Sequence, residues 1–174
     1  FTLQERLGLG SCPLLWRSAH AELSGDGLPH PQVFLGRQVA PGAFAWAVPI
    51  RRNGRPFVRV GVNAHADAGP HLKALCQARF PHLVPADGVI PARSWVVPVL
   101  PLPRSAGDRV LAVGDAAGQV KPTSGGGIYF GMLSAELAAE TAIRALRSGS
   151  LSARALASYE RGWRSELGLD LKLG

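Results

Sequence analysis

Cysteine is scarce in this chain of 174 residues. Cys12 and Cys76 stand far apart, with no spacing that a metal site or a disulfide framework would use. Two such thiols read as reduced cysteines of a cytosolic protein. No apolar run approaches the roughly 18 residues that cross a bilayer, which excludes a spanning helix of that kind. No secretory leader is visible, and the first residue is Phe1 rather than Met, so the expectation is a piece of a longer reading frame. Lysine is rare as well. The net charge of +7 is carried almost entirely by arginine, scattered as Arg17, Arg37, Arg51, Arg52, Arg55 and Arg59. Without a basic block or aromatic-interleaved patch, nucleic acid is not an expected partner. Three accounts of the charge stay open: a face for anionic lipid headgroups, a docking face for an acidic redox partner or NADPH phosphate, and plain arginine bias, the favoured one. His20, His30, His65, His71 and His82 show no i, i+4 pair and no acid at fixed spacing, so none is read as a base or metal ligand. A complete G-x-G-x-x-G is also missing. Gly8-Leu9-Gly10-Ser11-Cys12-Pro13 lacks the third glycine and puts Pro13 where a helix should run, so a dinucleotide-binding βαβ unit is absent.

What is present is a globular composition: 47% hydrophobic residues, enough for one domain or a large part of a bigger one. Residues 1–65 read as strands and turns without helices, which argues for an antiparallel sheet. The candidate strands are Arg17–Leu23, Gln32–Leu35, Phe44–Ile50 and Phe57–Val62. Asn53-Gly54 between the last two is a hairpin signal. A helix is expected from Gly69 to Phe80, with Pro81 ending it. The proline-broken apolar stretch Val89–Leu102 suits an edge strand. Trp95, within it, reads as core or pocket wall.

The chain is organised around Arg109–Met132, RVLAVGDAAGQVKPTSGGGIYFGM. Arg109–Val113 is an apolar run expected to form a buried strand. Gly114-Asp115 stops it, and Pro122, Thr123, Ser124 and three glycines follow. From Ile128, apolar residues at helical spacing (Met132, Leu133, Leu137, Ala138, Ala142, Ile143, Leu146) predict a helix of about twenty residues. A helix start has N–H groups without partners and a dipole that favours negative charge, and glycines admit a flat ligand close to the backbone. A second amphipathic helix is expected over Leu151–Leu167, with Leu156, Tyr159, Trp163 and Leu167 on its apolar side.

Gly114-Asp115-Ala116-Ala117-Gly118, Pro122 and Gly125-Gly126-Gly127-Ile128 resemble the second flavin motif of FAD-dependent oxidoreductases related to para-hydroxybenzoate hydroxylase. With Gln119, Lys121, Gly131, Met132 and Ala138-Ala139-Glu140, the run is most similar to the geranylgeranyl reductase family. The resemblance implies that Asp115 holds the ribityl hydroxyls of FAD. It also implies that the backbone of Gly126, Gly127 and Ile128 faces the isoalloxazine edge, with Gly114, Pro122 and Gly125 in the same cofactor-binding segment. Pro41-Gly42-Ala43-Phe44-Ala45-Trp46-Ala47-Val48-Pro49 resembles that family's P-x-x-Y-x-W-x-F-P segment beside its lipid cavity. It also resembles the W-x-W-x-I-P segment of flavin-dependent halogenases. Phe44, Trp46 and Val48 alternate onto one strand face, and with Pro49 and Trp95 they are the candidate substrate pocket. Phe44 stands where the family's tyrosine would, so no phenolic proton donor exists at that position. Tyr159-Glu160-Arg161-Gly162-Trp163-Arg164 resembles the family's Y-E-x-x-W-R segment.

The expected fold class is therefore α+β: an antiparallel substrate-pocket sheet (1–104), then the strand–turn–long helix C-terminal part of an FAD-binding domain (105–174). The N-terminal Rossmann unit is missing. The implied activity is reduction of carbon–carbon double bonds of a geranylgeranyl or other isoprenoid lipid by hydride from reduced FAD, with NAD(P)H or ferredoxin as candidate electron donors. The alternatives are a flavin-dependent monooxygenase or halogenase, and a non-catalytic lipid-binding remnant. Lys121, inside the flavin motif, is wrongly placed for a halogenase lysine. The expected partners are an apolar small-molecule substrate, a missing N-terminal FAD-binding half and a peripheral membrane surface. The expected location is the cytoplasm. Alone, the chain is expected to be inactive and not to hold FAD tightly.

Overall fold

The computed structural model describes residues 2–173. The chain forms two compact units, Trp16–Val97 and Phe1–Leu15 with Pro98–Gly174. After a five-residue helix, α1 (Thr2–Arg6), comes the antiparallel sheet: β1 (Leu15–Ser24), β2 (Gln32–Phe34), β3 (Ala45–Arg52) and β4 (Arg55–Ala64), then helix α2 (Ala68–Arg79) and strand β5 (Arg93–Pro98). The strand order is β2-β3-β4-β1-β5, with the expected edge strand at β5.

The hairpin forms where Asn-Gly signals it. Arg52 pairs with Arg55, and Asn53 and Gly54 both take left-handed backbone (φ 49° and 78°), as a turn matching the twist of the strands requires. Period-two alternation then sorts the faces. Val58, Val60 and Val62 of β4 stand beside Ala19, Ala21 and Leu23 of β1 and Ala45 and Ala47 of β3, and Leu72, Leu75 and Cys76 of α2 pack on them. Small alanines on two strands let the helix approach, and branched valines fill the central strand, where each fully buried side chain is worth roughly 1.5–3 kcal/mol. Asp67 caps α2, accepting from the Gly69 N–H at 3.1 Å.

The second unit holds a small ribbon, β6 (Ala106–Gly107) with β7 (Val110–Leu111), a 3₁₀ turn at Gly114–Ala117, and helices α3 (Ile128–Arg147), α4 (Ala153–Leu167) and α5 (Asp170–Leu173). The expected buried strand Arg109–Val113 is only two residues long and half-buried. Arg109 has φ 59° and closes a tight turn from β6, so pairing begins only at Val110. Helix α3 has the expected twenty residues but a different inner face. Its buried residues are Phe130, Ser134, Ala138, Thr141 and Ala145, whereas Ile128, Met132, Ile143 and Leu146 are exposed. The mostly small seam lies against the bulky side of α4, where Leu156, Tyr159, Trp163 and Leu167 are all buried as expected. Ser152 caps α4 by accepting from Ala155 N–H (3.3 Å), and Asp108 accepts from Ala153 N–H at 2.6 Å.

Candidate functional site

The glycine turn is built by close backbone approaches. Gly114 and Gly118 both take positive φ (63° and 68°). At Gly118 a side chain would meet the Leu100 carbonyl oxygen at 2.2 Å, so the position admits glycine alone. Gly114 faces Gly131 of α3 without side chains between them; a Cβ on Gly131 would lie 3.5 Å from the Gly114 Cα. This draws the acidic turn against the first coils of α3.

Asp115 is exposed on that turn, and its carboxylate leans over Gly127, the residue before α3: a Cβ at Gly127 would lie 2.5 Å from Asp115 Oδ1. Among the described residues no protein donor is bonded to that carboxylate. The loop Lys121–Gly126 folds back on itself, with Gly125 N–H donating to the Lys121 carbonyl (2.8 Å) and Lys121 N–H to the Gly126 carbonyl (3.1 Å). Gly125 accordingly has φ 68°. No side chain caps α3, so among the described residues the N–H groups of its first turn have no side-chain partner. Around them runs a groove of about 770 Å³, lined by Lys121, Ser124, the three glycines and Ile128–Phe130, with Asp170 of α5. Gly114, Asp115 and Pro122 lie outside that lining. The groove is thus an apolar trough with a helix start, the Lys121 ammonium and the Asp170 carboxylate in it, and its helix start suits the electron-rich edge of a flat ring.

Sequence reasoning missed what holds the turn in place. Gln119 is fully buried; its Oε1 accepts from Gly114 N–H at 2.7 Å, and its Nε2 donates to the Tyr159 hydroxyl at 2.9 Å. Tyr159 in turn donates to the Ala112 carbonyl at 2.7 Å, and burial pushes its phenol pKa up to about 12. One helical turn on, Trp163 Nε1 donates to Ser105 Oγ (2.7 Å), and Glu160 accepts from Ser105 N–H (2.9 Å). Arg164, bonded to Glu160, donates to the carbonyls of Leu102 and Pro103. The Y-E-x-x-W-R segment is therefore a row of polar clamps on the stretch 102–114. The signal for this was polar groups on the inward side of α4.

In the sheet unit, Trp46 and Val48 lie on the face opposite the core, as alternation requires. In register, Trp46, Gly61 and His20 form one row, and Val48, Arg59 and Glu22 the next. The Trp46 ring lies across Gly61, where a Cβ would come within 2.3 Å of it. Trp95 meets His20 edge to face at 4.7 Å, and Phe44 meets Trp16 at 5.8 Å. Pro49 has the other parity and stands exposed on the side of Ala45 and Ala47, beyond the reach of β2, where its missing N–H costs no ladder bond. Among the described residues, no three His, Cys, Asp or Glu side chains gather as a metal would need, and no helix is long and apolar enough to cross a membrane.

Curated proteins are similar to this sequence. The digeranylgeranylglycerophospholipid reductase 2 of Methanothermobacter thermautotrophicus is 33% identical over 146 residues, covering 81% of this chain and 36% of that protein. Its namesake from Methanopyrus kandleri is 34% identical over 146 residues, covering 80% and 37%. Over the matched residues this chain is similar to these geranylgeranyl reductases. It corresponds to the C-terminal part of these reductases and spans little more than a third of their length. A geranylgeranyl bacteriochlorophyll reductase-like protein of Thermoplasma acidophilum shares the fold, with a TM-score of 0.74 at 20% identity over 93% of this chain and 42% of its own. A flavin-dependent halogenase, BrvH from Brevundimonas sp. BAL3, shares it more distantly, with a TM-score of 0.50 at 13% identity, covering 92% of this chain and 30% of that one. No protein-family profile matches the chain.

Proposed function

We propose that this chain is the substrate-sheet and flavin-edge portion of an FAD-dependent reductase that saturates carbon–carbon double bonds of a geranylgeranyl or other isoprenoid lipid. A separate dinucleotide-binding portion completes the enzyme, which works in the cytoplasm at a membrane surface where such lipids reside. Its relatives' names supply the substrate class. The observation that carries the reading is the uncapped start of α3, with three glycines before it and the unbonded Asp115 carboxylate against Gly127.

These residues fit a flavin. Asp115 would accept from ribityl hydroxyls, and the N–H groups at Gly127, Ile128 and Tyr129 would face the ring edge, where the helix dipole favours the negative charge of the reduced state. Side chains on the glycines would narrow that approach. When bound, reduced FAD supplies the hydride, with NAD(P)H or ferredoxin as candidate source of its electrons. The chain's own work is to hold the cofactor edge, keep Gly114 and Asp115 in register through Gln119 and Tyr159, and offer an apolar wall of Trp46, Val48 and Trp95 that sheds water from a polyprenyl chain. Phe44 donates no proton.

The test is reconstitution with the dinucleotide-binding portion of a relative, followed by anaerobic turnover of a geranylgeranyl lipid with dithionite-reduced FAD. The expected product gains two mass units per double bond. Product formed only with oxygen would replace this reading with a monooxygenase or halogenase, and lipid binding indifferent to flavin would replace it with a lipid-binding remnant. By itself the chain should bind FAD more weakly than nanomolar.

A further inference from the structure

The open face of the sheet carries a second feature that the flavin reading does not use. Beyond the aromatic row, Arg52, Arg59 and Arg93 gather with His20 and Glu22 around a depression of about 490 Å³. Glu22 sits opposite Arg59 in the ladder and accepts from both neighbours: from Arg52 through Nη2 (2.9 Å) and Nε (3.3 Å), and from Arg59 through Nε (3.0 Å) and Nη2 (2.5 Å). A guanidinium has five N–H donors, so each of these arginines retains donors beyond those given to Glu22. The Arg93 side chain makes no hydrogen bond among the described residues.

One carboxylate against three guanidiniums leaves two positive charges in a small space. Glu22 works as a spacer that fixes two planar forks side by side. Such forks match the oxygens of a phosphate, on which paired N–H donors close bidentately. His20 beside them is held below its usual pKa, first by burial and then by Arg59, with Glu22 opposing and Arg93 adding a smaller push. His20, in the same ladder row as Trp46, in turn touches Trp95, and that row lies about 7 Å along the strand from the Arg59 row. Cationic donors and indole rings thus adjoin on one face, the pattern that receives an amphiphile with an anionic head.

We propose that Arg52, Arg59 and Arg93 form a phosphate-binding subsite that takes the phosphate ester head of an isoprenoid amphiphile, its chain lying across Trp46 and Trp95. The tail assignment rests on the isoprenoid reading above; the anion assignment does not.

The test uses the chain as it stands. Geranylgeranyl phosphate, geranylgeraniol and inorganic phosphate are titrated by calorimetry, while the His20 ring signal is followed by NMR. The expected result is that geranylgeranyl phosphate binds at least tenfold more tightly than the alcohol and that both phosphates move the His20 signal. Arg93→Gln, at an exposed side chain with no bond to the rest of the fold, should erase most of that advantage, and Arg93→Lys should restore part of it. Equal affinity for alcohol and phosphate, or an unchanged advantage in Arg93→Gln, overturns the subsite. A His20 response to inorganic phosphate but not to geranylgeranyl phosphate keeps the anion site and overturns its assignment to a lipid head. Loss of reductase activity in the completed enzyme, with phosphate discrimination intact, counts against the reductase and leaves this subsite standing.

Discussion

Gln119 and Tyr159 meet through one hydrogen bond of 2.9 Å that joins helix α4 to the turn carrying Asp115. Both residues are fully buried, and each makes a second bond to backbone, at Gly114 and Ala112. Tyr159→Phe leaves the Gln119 amide and the Ala112 carbonyl without that partner, at a cost of roughly 1–3 kcal/mol for buried polar groups. Urea unfolding checks this. The pH sign follows from the raised phenol. With the folded pKa near 12 and the unfolded value near 10, the unfolded chain holds fewer protons between them. The share of stability that Tyr159 contributes is therefore complete below pH 10 and is lost as pH climbs toward 12, apart from the separate alkaline loss that buried Cys76 adds. The Tyr159→Phe chain should lack the Tyr159 share of the alkaline loss.

Two glycines should separate stability from ligand binding. At Gly118 an added Cβ strikes the Leu100 carbonyl and the backbone is left-handed, so Gly118→Ala should cost more than about 2 kcal/mol in thermal or urea unfolding. At Gly127 the first obstacle is the Asp115 carboxylate, the end of a movable side chain, followed by Val120 Cγ1 at 2.8 Å. Gly127→Ala should fold, losing roughly 1–2 kcal/mol, and should weaken FAD binding by the completed enzyme about tenfold, measured by fluorescence quenching of the flavin. An unchanged flavin affinity would remove Asp115 from the cofactor site.

The two thiols should report burial. Cys76 is fully enclosed beneath the sheet, and burial pushes its pKa up to about 11, whereas Cys12 is half-exposed. At pH 8 a disulfide reagent such as Ellman's should therefore release one equivalent from the native chain and the second only after denaturant is added, because the thiolate is the reacting species.

The sheet was legible because its signals are local. Asn53-Gly54 dictates a left-handed turn, and alternation alone places Trp46 and Val48 opposite Ala45 and Ala47. The length of α3 was legible for the same reason. Its inner face was not, since Ser134, Ala138 and Thr141 are buried while larger Ile128 and Met132 are exposed; which stripe of a helix turns inward depends on the partner's shape. The β6–β7 ribbon escaped because a single left-handed Arg109 shortened the strand. The polar clamps of Tyr159, Glu160, Trp163 and Arg164 were hidden behind their apolar bodies: amphipathicity shows that a residue turns inward, not what its polar tip holds. For the candidate site, the ordered string from Gly114 to Ile128 disclosed the turn and the helix start, while Gln119's part in fixing them needed three dimensions.

The chain leaves the helical unit near Leu14 and comes back at Val99, and at those two points a Val99 N–H to Leu14 carbonyl bond of 3.0 Å already bridges the gap. Everything between is an insertion whose two stems touch. Such a cassette can be exchanged for another sheet, or trimmed to a short link, without rerouting the strand–turn–helix that follows, so the helical unit can keep its own path while eighty-odd residues are replaced.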